Sequence, residues 1–135
     1  MSRQPAGLLD TSVFIANESG RALDELPERV AVSVVTIGEL QLGVLAAGDP
    51  ERRARRADTL ALARTADPLP VSEAVMVTWA RLVDDCRKKG IQRTVKLTDA
   101  LIAATAVEHG LPVVTQDTDF EAMAGVHQEL RVIQV

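Results

Sequence analysis

Short apolar runs alternate along the chain with longer segments of helical periodicity. Gly7 to Thr11 predicts a buried strand closing on Asp10, after which Thr11 or Ser12 is placed to cap a short helix through Val13 to Asn17. Asn17 to Gly20 reads as a turn, followed by a small helix to about Leu26 that Pro27 ends. The β-branched run Val30 to Val35 predicts the second strand. Thr36 then opens a helix to about Ala47, stopped by Gly48-Asp49-Pro50. Glu51 to about Thr65 predicts a charged, Ala-rich helix, and Asp67 to Val71 a short extended link. Ser72-Glu73 begins a helix to about Lys89, ended by Gly90, and Ile91 to Leu97 is a loop. Thr98 caps a helix from Asp99 to His109, closed by Gly110 and Pro112. Pro112 to Thr115 is a strand, Asp117 to Ala124 a short helix, and Leu130 to Val135 a final strand. Such alternation indicates an α/β fold with a parallel sheet covered on both faces.

The 135 residues form a single expected domain, residues 1–135, with no internal repeat or linker. Aromatic residues are only 2% (Phe14, Trp79 and Phe120), which argues against modules that read single-stranded RNA by stacking bases on aromatic platforms. A net charge of -4 is a poor match to passive nucleic-acid binding. Basic residues nevertheless cluster, first at Arg52, Arg53, Arg55, Arg56 and Arg64, then at Arg81, Arg87, Lys88, Lys89, Arg93 and Lys96. Each cluster reads as a solvated helix face or as a track for a phosphate backbone. Cys86 is alone, so no internal disulfide forms and a reducing interior suits the chain. Met1 to Ala6 is polar and no apolar run approaches ~18 residues, so the expected location is the cytoplasm.

The candidate chemistry lies in acids placed at apolar strand ends and helix starts: Asp10, Glu39, Asp99 and Asp117, with Asp119 close behind. Each has an ordinary explanation. Thr36-x-x-Glu39 fits a capping box, Asp99 in a first helical turn suits the helix dipole, and Asp117 fits an N-cap. Asp10 resists such an explanation, because Asp is disfavoured at the end of an apolar strand. Together the four fall on one edge of the sheet, where open α/β folds bind ligands. Clustered carboxylates repel unless a cation neutralises them, and hard divalent cations take oxygen ligands. Thr11, Ser12, Thr36, Thr98 and Thr115 stand beside them, able to orient carboxylates or waters.

Other chemistries lack their residues. His109 and His127 have no metal-ligand spacing to a second His or Cys, Cys86 has no nearby His, and no phosphate-cradling glycine loop follows the first strand. A haloacid-dehalogenase-like phosphatase needs a second acid after Asp10, where Ser12 stands. A receiver domain needs an acidic pair at the first strand and a late Lys. A catalytically silent scaffold conflicts with the intact acids.

Five segments taken together resemble the PIN-domain nucleases, and within them the VapC toxins of bacterial VapBC toxin–antitoxin pairs. They are Leu8-Leu9-Asp10-Thr11-Ser12, Thr36-Ile37-Gly38-Glu39-Leu40 with Gly43, Thr98-Asp99-Ala100-Leu101-Ile102, Gly110-Leu111 with Val113-Val114-Thr115, and Asp117-Thr118-Asp119-Phe120. The resemblance implies a Rossmann-like three-layer α/β/α sandwich with a central parallel sheet. It further implies a Mg²⁺- or Mn²⁺-dependent endoribonuclease, a homodimer, and inhibition by a small cognate antitoxin. The family's acids map onto Asp10, Glu39, Asp99 and Asp117. The Gln116–Phe120 segment is more compact than in many relatives, which leaves Asp117 and Asp119 as candidates for the fourth acid, with Asp117 preferred. Asp10 and Asp99 are expected to hold the principal ion, with Glu39 and Asp117 acting through water or at a second ion. Activated water attacking phosphorus in line leaves 5′-phosphate and 3′-hydroxyl ends. Leu42 and Ala46, off the Ile37/Leu40/Val44/Leu45 stripe, together with Leu60 and Leu62, are the expected covered surface in a dimer.

Overall fold

The computed structural model describes residues 5–135; the polar start Met1 to Gln4 lies outside the described residues. Among the described residues, a five-stranded parallel sheet has the order β3-β2-β1-β4-β5. Its strands are β1 (Ala6–Leu9), β2 (Arg29–Ser33), β3 (Pro68–Leu69), β4 (Val113–Thr115) and β5 (Val132–Gln134). The helices are α1 (Thr11–Glu18), α2 (Val34–Ala46), α3 (Pro50–Arg64), α4 (Glu73–Lys88), α5 (Leu97–Glu108) and α6 (Glu121–Val126). A 3-10 turn spans Gln92–Thr94. No described helix is long and apolar enough to cross a membrane.

Strand side chains alternate between faces, and β1 shows the consequence. Leu8 pairs in register with Val113 and packs with Ile102, Leu82 and Phe120, the layer built by α4, α5 and α6. Leu9 pairs with Val32 and Val114 and faces Val13, Phe14, Leu40 and Leu60, the layer built by α1, α2 and α3. Two cores on opposite faces of one sheet make the expected three-layer sandwich. One residue beyond the Leu9 row stand Asp10, Ser33 and Thr115, the carboxyl ends of three neighbouring strands. The chain steps outward from β1 to β2 and β3, then crosses to β4 on the other side of β1. That reversal opens a crevice above the strand ends, where such sheets receive ligands.

Several sequence expectations change. No helix occupies residues 21–27. Gly20 takes the left-handed conformation (φ 75°) and the Arg21 amide closes back onto Ala16 O, ending α1. A helix before Pro27 would have too few turns to repay its nucleation, and Leu23 and Leu26 instead line an apolar hollow with Phe14 and Val30. The extended link proves to be a strand, since Pro68 and Leu69 pair with Val32 and Ser33. Val34 and Val35, read as strand, are the first turn of α2, because Ser33 Oγ accepts from the Val35 amide and starts the helix there. Leu45 is 69% exposed rather than on the core side, whereas Leu60 is buried at 5%. Helical phase against α3 and the sheet decides both, since Ile37, Leu40 and Val44 already fill the stripe facing the core. Cys86 is fully buried in α4, and burial pushes its thiol pKa up.

Candidate functional site

Asp10 continues β1 in extended conformation and caps α1 by accepting from the Ser12 amide at 3.4 Å. The cap is therefore Asp10, not Thr11 or Ser12: a carboxylate at the end of an inner strand reaches the free amides before either hydroxyl can. Its Oδ2 also accepts from Ser12 Oγ at 2.8 Å and Thr115 Oγ1 at 3.0 Å. Those hydroxyls in turn accept the backbone amides of Gln116 and Asp117, both at 3.0 Å. Each hydroxyl has one proton, and both protons go to Asp10. The 3.1 Å Ser12–Thr115 contact thus has none left. The turn after β4 consequently orients the carboxylate at the end of β1. Asp10 is only 3% exposed. Burial pushes its pKa above the usual carboxylate range, and the Ser12 and Thr115 bonds oppose that rise.

Glu39 projects from the middle of α2. Because α2 starts at Val34 with Ser33 as cap, Thr36 lies inside the first turn and is not a cap, which removes the capping-box reading. Glu39 Oε1 instead accepts from Thr11 Oγ1 at 2.6 Å, across the interface between α2 and α1. Thr36 Oγ1 lies 2.9 Å from Thr11 Oγ1. Since Thr11 has given its proton to Glu39, Thr36 is the donor, and a chain of hydroxyls runs from the buried Thr36 to the Glu39 carboxylate.

Asp99 lies in the first turn of α5, which begins at Leu97 after Lys96 with no side-chain cap. Thr98 is thus a first-turn residue rather than the N-cap, since the helix already starts one residue earlier. The Asp99 pKa rises to about 6, first from burial, then from the Asp10 and Asp119 charges, with Lys96 opposing. Asp117 is not a helix cap either, because α6 begins only at Glu121. Asp117 belongs to the turn whose amide is tied to Thr115. Loss of hydration raises its pKa, helped by Asp10 and Asp119, while Lys96 and Arg21 hold it back. Asp119 is exposed, yet its charge acts on both Asp99 and Asp117.

A cleft of about 290 Å³ brings all five acids together with Thr11, Ser12 and Thr98. Thr36 and Thr115 stand behind it, fully buried. Ile15, Arg21, Lys96 and Gln116 also line it. Sequence reasoning assigned none of these four to the site. Lys96 appeared only as one member of a basic run, and Arg21 had no local signal, since its place depends on how α1 ends. Elsewhere the basic runs are largely engaged. Arg53 and Arg56 donate to the Ala47 and Gly43 carbonyls, while Arg81 pairs with Glu129 and Arg87 and Lys88 pair with Asp84. Neither His lines the cleft, and the buried His127 ring is bonded through Nδ1 to Asp85 at 2.7 Å.

The donor set is all oxygen, with carboxylates that raise one another's pKa, which is the chemistry a hard divalent cation relieves. Among the described residues no three His, Cys, Asp or Glu side chains form a ready-made cage. Mg²⁺ keeps several waters and takes one or two carboxylates directly, so its binding does not require such a cage.

The chain is similar in sequence and fold to known proteins. Over 100 residues the chain is 76% identical to Ribonuclease VapC8 of Mycobacterium tuberculosis, covering 74% of this chain and 89% of that protein. It is 50% identical over 128 residues to Ribonuclease VapC5 of the same organism, covering 93% of each. The crystal structure of VapBC-5, a member of the VapBC family of toxin-antitoxin systems from Mycobacterium tuberculosis, superposes with a TM-score of 0.87 at 44% identity, covering 97% of this chain and 99% of that one. The PIN domain family model matches residues 7–126, and the chain belongs to the PIN domain family.

Proposed function

We propose that this chain is a VapC-type endoribonuclease, the toxic member of a toxin–antitoxin pair, acting as a single cytoplasmic domain. One observation carries the reading: Asp10, Glu39, Asp99 and Asp117 meet in one cleft at the carboxyl ends of the strands, in a chain closely related to proteins named as ribonucleases.

In this reading Asp10 and Asp99 hold a Mg²⁺ or Mn²⁺ ion, with Glu39 and Asp117 acting through water or at a second ion. When bound, such an ion supplies Lewis-acid activation of water and offsets charge developing on the phosphoryl oxygens. The chain's own groups set the geometry. Ser12 and Thr115 fix Asp10 Oδ2 by hydrogen bonds. Thr11, itself held by Thr36, aims Glu39 into the cleft. With no His in the cleft, a carboxylate outside the principal ion's ligands takes the proton from the attacking water, and Glu39 lines the cleft for that role. In-line attack on phosphorus leaves 5′-phosphate and 3′-hydroxyl ends.

Partners follow from the exposed apolar residues. Leu42 and Leu45 on α2 are 66% and 69% exposed, and Leu62 on α3 is 50% exposed. We take this surface as the place where a second copy and a small antitoxin dock, the antitoxin directing a basic side chain at the acids in place of the metal. Sequencing RNA ends after controlled expression tests the function. New 5′-phosphate ends at discrete positions with the parent chain, and none with Asp99→Asn, are expected. Identical end maps for the two would overturn it.

A further inference from the structure

Five carboxylates and only two cations, Arg21 and Lys96, line the cleft. An RNA backbone brings one negative charge per nucleotide, so a strand entering this cleft meets a net repulsive field that a single divalent ion does not reverse. The chain must supply attraction along the path of the strand. Arg21 and Lys96 are placed to do so. Both are exposed, and among the described residues neither side chain has a hydrogen-bond or ion-pair partner. Their backbones are nevertheless fixed: the Arg21 amide donates to Ala16 O at 2.9 Å, and Lys96 O accepts the Ala100 amide at 3.0 Å where α5 begins. They come from different elements, one just past α1 and one at the start of α5, and both charges reach Asp117. A cation held at its root and free at its tip is suited to a mobile phosphate rather than to a fixed protein partner.

We propose that Arg21 and Lys96 form a two-point clamp on phosphates of the RNA strand entering the acidic cleft. The clamp rests on the ribonuclease reading and adds which residues of this chain hold the substrate. Gln116, between Thr115 and Asp117 in the chain, is already occupied: its side chain donates to Val135 O and its amide to Ser12 Oγ. Arg21 and Lys96 are therefore the positively charged groups of the cleft lining left to meet the strand.

The test measures binding without turnover. A short fluorescent single-stranded RNA is titrated, by anisotropy at fixed Mg²⁺, against the full chain carrying Asp10→Asn. Adding Arg21→Gln or Lys96→Gln should each weaken binding about tenfold, as expected for loss of one charge-assisted contact. Each should also reduce the slope of log Kd against log salt by about 0.7, the value for single strands. Arg21→Lys and Lys96→Arg should bind as the parent does, and Arg64→Gln, at a residue that does not line the cleft, should change nothing. In the otherwise unaltered chain the same substitutions should raise KM with kcat held within about threefold. Affinity within twofold of the parent in the Arg21→Gln/Lys96→Gln double variant would overturn the clamp. So would a tighter Mn²⁺ affinity by calorimetry with RNA affinity unchanged, which would make the cations mere counter-charges for the acids. If the unaltered chain binds RNA through these cations but never cuts it, the ribonuclease reading fails and the clamp stands. If it cuts RNA while the double variant binds normally, the clamp alone fails.

Discussion

Thr11 Oγ1 donates a 2.6 Å hydrogen bond to Glu39 Oε1, joining the first residue of α1 to the middle of α2 across 28 positions of sequence. Thr36, one turn before Glu39, completes the chain from behind at 2.9 Å. Glu39 is thereby held at the cleft by tertiary contact rather than by its own helix.

Replacing Thr11 with Val keeps the shape and removes both bonds. The buried Thr36 hydroxyl then loses its acceptor, a loss that costs about 1–3 kcal/mol, and Glu39 loses its orientation. The Tm should fall, and RNA cleavage should drop about 10–100-fold, the range typical of lost ligand-orienting partners. Thr11→Ser should restore most of both. Normal activity in Thr11→Val would show that Glu39 needs no such support.

Asp99 titrates near 6 in the metal-free fold against an ordinary 3.8. Below 3.8 the folded and unfolded chains both hold this proton. Between 3.8 and 6 only the folded chain keeps it, so stability falls as pH rises through that window and is lowest above it. Asp99→Asn should therefore raise the Tm of the metal-free protein at pH 7.5; because solvent screens this half-exposed carboxylate, the relief is discounted to about 1 kcal/mol, or about 3 °C. It should have little effect at pH 3.5. Protons compete with the ion for the same carboxylate, so metal affinity should decline as pH falls through about 6. Thermal scans at the two pH values check the first statement and calorimetric Mn²⁺ titration the second. A Tm lowered at pH 7.5 would contradict the electrostatic account.

Asp117 and Asp119 separate by substitution. Asp117 is anchored through its amide to Thr115, which also holds Asp10, whereas Asp119 acts on Asp99 and Asp117 through its charge. Asp117→Asn should reduce cleavage at least about tenfold more than Asp119→Asn, one order in rate being about 1.4 kcal/mol of transition-state stabilisation. Equal losses in kcat/KM would make both carboxylates ligands.

Leu42, Leu45 and Leu62 carry the partner expectation. Leu42→Glu with Leu45→Glu should leave the Tm of the isolated chain nearly unchanged, because exposed side chains contribute little to the core; surface changes usually stay within about 0.5 kcal/mol. The pair should reduce self-association in light scattering at micromolar concentration, or antitoxin capture in co-expression. Unchanged assembly with both partners would place the interfaces elsewhere.

Much of this was legible in the chain, and the exceptions have physical reasons. Leu8 and Leu9 announced a two-faced strand, and Asp10 at its end had no ordinary explanation. Local signals failed where a neighbour pre-empted them. Ser33 starts α2 three residues before Thr36, and Lys96 precedes α5 without a side-chain bond, leaving Thr98 inside the helix. Both capping readings fell to that small offset. The helix expected up to Leu26 fails because Gly20 ends α1 and the apolar side chains after it find a hollow to fill. Arg21 and Lys96 were hidden for a different reason. Charge beside a cleft is a property of the assembled fold, and neither residue sits in a motif.

The most direct measurement follows RNA cleavage by the purified chain as metal is removed and returned. The account predicts that EDTA abolishes cleavage and that Mg²⁺ or Mn²⁺ restores it, with 5′-phosphate ends. It also predicts that Asp10→Asn and Asp99→Asn remain inactive at every metal concentration while melting as folded proteins. Cleavage that persists in excess EDTA, or survives in either variant, would contradict it.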